Sequence, residues 1–275
     1  MRNLTAVLVA LLLCVSFPLL MEDAGVGSVG AAAPPDQDMN NGGSGVTYLN
    51  ATWHVNASEH QVYRNQTIYL RGDLKVHHFG DLLLENVTLY FNSSSMGQYM
   101  LEVNTSGNLS LIDSMVTSLD QSTLTNIDGA SGVQCRGPRY KFSVLGNLSA
   151  QNSNISYMWG RVQTQGVGLG GLTFSGPDVH ANLINCTISD GATVVVSTEP
   201  GASDVTLTDC TIRHSGPVYR FNVFLYGGTN ITLDGCTVTK GWMGLYLFTP
   251  LGGSDPTPYV VNSDITGITG VLGNS

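Results

Sequence analysis

From Leu82 to Ile265 the chain repeats one arrangement of apolar and polar positions. In "ANLINCTI", residues 181–188, Ala181 and Leu183 alternate with polar neighbours. Asn185 intervenes, and Cys186 and Ile188 then resume the alternation on the opposite parity. The arrangement recurs around Asn86 in "LLLENVTL", Asp113 in "LSLIDSMV", Asn152 in "LSAQNSNI", Asp209 in "VTLTDCTI", Gly235 in "ITLDGCTV" and, more weakly, Asn262 in "PYVVNSDI". Two residues before the centre stand Leu84, Leu111, Ala150, Leu183, Leu207, Leu233 and Val260; three after it stand Leu89, Val116, Ile155, Ile188, Ile212, Val238 and Ile265. Strand side chains alternate between faces with period two, so rows of opposite parity share an interior only if the chain bends between them. The central residue is Asn, Asp or Gly in each copy, the types that accept a left-handed backbone. Gly235 has no side chain, so backbone geometry is the common requirement. Each copy predicts strand, corner, strand, and a second turn precedes it at Gly80-Asp81, Gly107-Asn108 and Gly146-Asn147, continued by Asp204 and Asn230.

Successive centres are 24 to 39 residues apart, a length that two or three short strands and their turns fill. The expected fold is all-β: a right-handed parallel β-helix, a solenoid of about seven rungs over residues 80–275, with surface loops in the longer intervals. Its hand follows from the bias of parallel crossovers. Residues 47–79 are expected to hold an N-terminal cap and first strands. Leucine-rich repeats need a tighter period, and a propeller blade needs four antiparallel strands with hairpin signals, so both fit less well.

One place after the centre, Cys186, Cys210 and Cys236 share a column with Ser114, Ser153, Ser263 and Val87. That mixture describes a small inward position, where a free cysteine behaves as a small hydrophobe. Stacked side chains point the same way, a poor direction for a disulfide. A buried thiol ladder is favoured over a disulfide or a metal site. Cys135, in the longest interval, has no evident partner.

Composition narrows the partners. Charged residues make up 11% of the chain, against about 25% in ordinary globular domains. With Lys+Arg 11 against Asp+Glu 20 the net charge is -9, which opposes nucleic-acid binding, since that affinity comes from cations displacing counterions. Arg2, the apolar run 4–20 and Ala31-Ala32-Ala33 read as a signal peptide over residues 1–33. An uncleaved membrane anchor is the alternative; Pro18 and a run of only about 17 residues count against it. Residues 34–46, "PPDQDMNNGGSGV", read as a flexible linker. The expected location is extracellular or at the cell surface.

The recurring "GNLSLIDSMVTS", "SDVTLTDCTIRH" and "TNITLDGCTVTK" resemble the pectate-lyase-like right-handed β-helix superfamily, particularly its carbohydrate-binding and sugar-hydrolase type repeats in secreted and surface proteins. The resemblance implies a structural or carbohydrate-binding module with a polysaccharide or surface glycan as partner. Its alternative is a polysaccharide lyase or glycoside hydrolase with divergent residues. Lyases of the superfamily rely on clustered acidic calcium ligands with an Arg or Lys base, and its hydrolases on several close Asp residues. No such cluster is legible here, so no cofactor is expected, and calcium enters only with a lyase activity.

The candidate site lies beyond the second strand. Five places after the centre stand Tyr157, Asp190, His214 and Lys240, with Arg213 one place earlier in its copy, while Trp159 and Trp242 recur two places further on. Tyr157, Trp159 and Trp242 are the expected sugar-stacking residues. Asp190, Arg213, His214 and Lys240 are the candidates if there is catalysis, and Arg136, Arg139 and Lys141 suit a substrate-covering loop. The plainer reading is a solvated turn edge whose aromatics cover core. His54, His60, His77 and His78 crowd the N-terminal part; "VHH" places His77 and His78 on opposite faces, and exposed polar residues are expected rather than a metal site. "GVGLGG", residues 166–171, lacks the Lys and helix of a phosphate loop. Among the glycosylation sequons, Asn86 and Asn185 occupy corners and are expected to bond backbone of neighbouring rungs. Asn50, Asn56, Asn65, Asn92 and Asn104 are assigned to terminal or loop segments and are the better acceptors.

Overall fold

The computed structural model describes residues 45–121, 138–159, 170–192, 194–202, 204–213, 221–227, 229–241, 243–249, 254–267 and 271–274. These lie in the unit Gln37–Ser275 and contain strands and turns with no helix. The chain visits three stacks of parallel strands in turn. One stack holds residues 60–64 and 81–85, then Asn108–Ile112, Asn147–Gln151, His180–Ile184, Asp204–Thr208, Thr232–Asp234 and Tyr259–Val261. The second holds Gly45–Leu49, residues 66–70 and 87–91, then Met115–Ser118, Asn154–Ser156, Thr187–Ser189, Thr211–Arg213, Thr237–Gly241 and Asp264–Gly267. The third is a 9-stranded sheet from Trp53–Val55 to Val271–Asn274. Each strand returns to its stack only after passing through the other two, which is a parallel β-helix.

Why the first two stacks meet at an angle is visible in the backbone. Asn65, Asn86, Asp113, Asn152, Asn185, Asp209, Gly235 and Asn262 all have φ between 49° and 65°, the left-handed region that turns the chain without ending its pairing. Strands His60–Leu70 and Asp81–Phe91 run straight through this kink. The expectation of about seven rungs is one corner short. Asn65, assigned from the sequence to a terminal or loop segment, is the further corner. Gln61 and Gln66 stand where later copies carry apolar or small residues, and they mask it, although Tyr63 and Ile68 keep the pattern. Gln61 tolerates its place because its Oε1 accepts the Trp53 indole N–H at 2.8 Å. Residues 47–79 accordingly pair in the same register as the later coils, and Gly45 and Val46, expected to lie in a linker, open the first strand.

The predicted columns stand in register. Leu84, Leu111, Ala150, Leu183, Leu207 and Leu233 face Leu89, Val116, Ile155, Ile188, Ile212 and Val238 across the corner, all buried. Each fully buried Leu, Ile or Val stabilises by roughly 1.5–3 kcal/mol, so the interior rows dominate stability. In the last coil Val260 is 39% exposed, because no further described layer covers it.

The column after the corner carries polar structure that its composition did not reveal. The Ser114 Oγ accepts from the Val87 amide at 3.0 Å and donates to carbonyls of Ile112 and Leu84. Ser153 accepts from Ser114 N at 3.0 Å, and Ser263 from Cys236 N at 2.9 Å. At these three corners the kink turns one amide inward, and the next layer's serine hydroxyl accepts from it. Cys186, Cys210 and Cys236 are free, buried thiols in the same column, with sulfurs directed at carbonyls of Ile184, of Leu183 and Thr208, and of Leu207 and Asp234. From Ser114 onward the column therefore carries small groups that hydrogen-bond as well as fill space, whereas Val87 only fills it. Cys210, between two thiols, is pushed well above the ordinary thiol range by its bonds with Cys186 and Cys236 and by burial.

Glycines at the second turn serve close approach. A Cβ on Gly146 would stand 2.2 Å from the Asn104 carbonyl oxygen, and one on Gly80 2.5 Å from that of Val55. Corner side chains form their own ladder: Asn86 donates to Asn65 at 2.8 Å, Asn152 to Asp113 at 3.1 Å and Asn185 to Asn152 at 2.9 Å. Asn86 and Asn185 thus bond neighbouring side chains rather than the backbone groups expected.

Candidate functional site

Tyr157, Asp190 and Lys240 form a second corner. All three have left-handed φ, between 56° and 61°, and the residues before them, Ser156, Ser189 and Thr239, are in register through Arg213. At the described positions the expected column is a repeated backbone turn whose side chains differ in exposure. Asp190 is only 9% exposed, whereas Arg213 and Lys240 point to solvent. His214, Trp242 and Arg136 lie outside the described residues.

Arg139 and Lys141 are not on a covering loop. Arg139 is 3% exposed, and its guanidinium carbon lies 4.5 Å from the Tyr157 ring centroid, within cation–π range. Lys141 opens the strand Lys141–Val144 in the third stack. Its Nζ lies 5.1 Å from the Trp159 ring centroid. Tyr157 and Trp159 therefore each pair with a cation from the preceding layer.

Trp159 is anchored by its backbone: its amide donates to Tyr140 at 2.6 Å and its carbonyl accepts from Gly171 at 3.0 Å. The ring is partly exposed and forms one wall of a cleft of about 160 Å³ on the outer side of the third stack. Lys141, Ser143, Thr173 and Glu199 supply its polar groups, and Met100 and Phe142 help close it. Ser143, Thr173 and Ser197 are one outward column; Ser197 is held by the Gly170 carbonyl at 2.9 Å and by Thr173 at 3.1 Å. Gly97, at φ 64°, leaves the room that Lys141 and Trp159 use, since a Cβ there would sit 2.9 Å from the lysine Cε.

The sequence singled out Trp159, and Lys141 in the different setting of a covering loop, but gave no sign of Ser143, Thr173 and Glu199 beside them. The third stack follows segments of variable length, so its strands carry no repeated motif, and the alternation in "KFSV" is too short to set a register. A second, more open polar surface lies on the first stack, where Asn147, Ser149, His180, Asn182, Asp204 and Thr206 face outward and His180 Nδ1 bonds Asp204. Among the described residues no three His, Cys, Asp or Glu side chains gather as a metal-ion cluster, and no helix is long and apolar enough to cross a membrane.

Three parallel stacks, inward aliphatic columns and a repeated left-handed corner define the class: a right-handed parallel β-helix of the pectate-lyase-like kind. The description of a right-handed β-helix region matches residues 44–265, and the chain belongs to that family. No curated protein and no solved structure matches it.

Proposed function

We propose that this protein is a secreted or cell-surface β-helix that binds carbohydrate through the Trp159 cleft. The observation that carries this reading is the partly exposed indole set against Lys141, with Ser143, Thr173 and Glu199 in the same depression. A sugar offers one apolar ring face and a rim of hydroxyls. An aromatic wall takes the former, and a few fixed donors and acceptors orient the latter. The cleft holds about one sugar ring, so a longer glycan lies along the outer side of the third stack. The signal peptide expected over residues 1–33 supports a role outside the cytoplasm.

Calorimetric titration with a panel of neutral and acidic oligosaccharides tests this. Binding is expected to fall at least tenfold in Trp159→Ala and to stay unchanged in Tyr259→Ala, whose exposed ring lies in the last coil. Equal affinity of wild type and Trp159→Ala, or no binding across the panel, refutes the assignment. Release of unsaturated or reducing sugar from a polysaccharide, abolished in Asp190→Ala, would replace binding by catalysis.

A further inference from the structure

We propose that His54 and His77 form a binding site for a divalent transition-metal ion, with copper(II) the cation taken most strongly. Spacing in the sequence does not bring the N-terminal histidines together; the coil does. His54 points outward from Trp53–Val55, His77 follows Leu74–Val76 in the next layer, and the His77 amide donates to the Val55 carbonyl at 2.9 Å. Nδ1 of His54 then lies 2.8 Å from Nε2 of His77, with the ring planes within 16°.

Two imidazole nitrogens sharing one proton on a solvent-exposed edge are a ready chelate. Metal–imidazole bonds are about 2.0 Å long, so two ligands at right angles on a tetragonal ion stand about 2.8 Å apart, whereas a tetrahedral ion separates them further. The pair's separation is that of a hydrogen bond, and it brings both nitrogens within the span of one ion. Imidazole ligands and the general affinity order of divalent metals both point to copper. The ion takes the place of the shared proton, which the donor ring carries instead on its other nitrogen after exchange through solvent, so both imidazoles stay neutral. The two rings turn so that both lone pairs meet the ion, and water fills the remaining positions.

The surroundings favour a cation. Glu59 is tied to the His54 layer through Gln61, whose side-chain amide donates to the Glu59 carboxylate at 3.0 Å and to the His54 carbonyl at 3.3 Å. Its carboxylate is held by the Asn56 amide at 2.8 Å, the Asn56 side chain at 3.0 Å and Gln61 at 3.0 Å, which fixes a negative charge beside the pair. Lys75, in register with His54, is turned toward Asp73 at 3.7 Å. The other paired histidines, His60 with Asp81 and His180 with Asp204, offer one nitrogen each.

The test titrates copper(II) chloride into the tag-free full chain, followed by calorimetry and electron paramagnetic resonance. One tetragonal site with coupling to two nitrogens is expected, and His54→Ala and His77→Ala should each weaken it at least tenfold. His60→Ala and His180→Ala should leave it unchanged. Unfolding curves confirm that the His54 and His77 variants are folded. Copper bound equally well by the His54→Ala, His77→Ala double variant, or zinc(II) bound more tightly than copper(II), overturns the proposal.

Discussion

Replacing Asn185 by valine and, separately, by glycine isolates the corner. The residue sits at φ 51°, and its side-chain amide donates to Asn152 at 2.9 Å on an exposed edge. Valine loses that bond, about 1 kcal/mol, and must hold a left-handed backbone that costs roughly 1–2 kcal/mol for a residue with a Cβ. The sum is about 2–3 kcal/mol. Glycine loses the bond but carries no such backbone cost, so its penalty stays near about 1 kcal/mol. At roughly 2–4 °C per kcal/mol for a domain of this size, valine lowers the melting temperature by about 4–12 °C and glycine by about a third to a half of that. Thermal unfolding followed by circular dichroism reads both variants, and Gly235, at φ 65° in the same column, shows that glycine is accepted there. Equal losses for the two substitutions would mean that the side-chain ladder, and not the backbone kink, holds the corner.

Three further outcomes follow from the interior. Cys210→Ser preserves both size and hydrogen bonding and should unfold near the wild-type midpoint in urea, whereas Cys210→Leu overpacks the column and should cost about 1–3 kcal/mol; unfolding without reductant should also expose three thiols from Cys186, Cys210 and Cys236 to a thiol reagent, and finding any two of them disulfide-linked would contradict the ladder. Tyr140 is buried, its hydroxyl donates to the Val116 carbonyl at 3.2 Å, and burial pushes its pKa well above the usual phenol value against the opposing charge of Arg139. Its folded pKa is raised, so the stability it contributes is full below the unfolded value of about 10 and is lost as pH rises above it; urea midpoints should decline above that pH, less steeply in Tyr140→Phe. Gly146→Ala forces a Cβ against the Asn104 carbonyl and should lower the urea midpoint more than Ser149→Ala on the exposed side of the same coil.

The interior rows are set by the chain's own alternation. Alternation is local, so the parity change at residues such as Asn185 was enough to predict the corner, the two strands beside it and the inward place of Leu183, Cys186 and Ile188. It also predicted a parallel solenoid from the recurrence of that unit. The corner at Asn65 stayed hidden because the first copy carries Gln61 and Gln66 in otherwise apolar or small columns. Which outward residues stand beside one another depends on how the coils stack. Lys141 meets Trp159, Thr173 meets Ser143, and His54 meets His77 across layers whose register is set by turns of unequal length. A strand's own residues say which face each side chain takes, but the neighbour on that face belongs to a layer 20 to 40 residues away, and the backbone between them fixes the match. The second turn shows the same division: Gly146 was legible as a turn, yet the reason it must be glycine, a carbonyl from the preceding coil pressed against it, exists only once the coils are stacked.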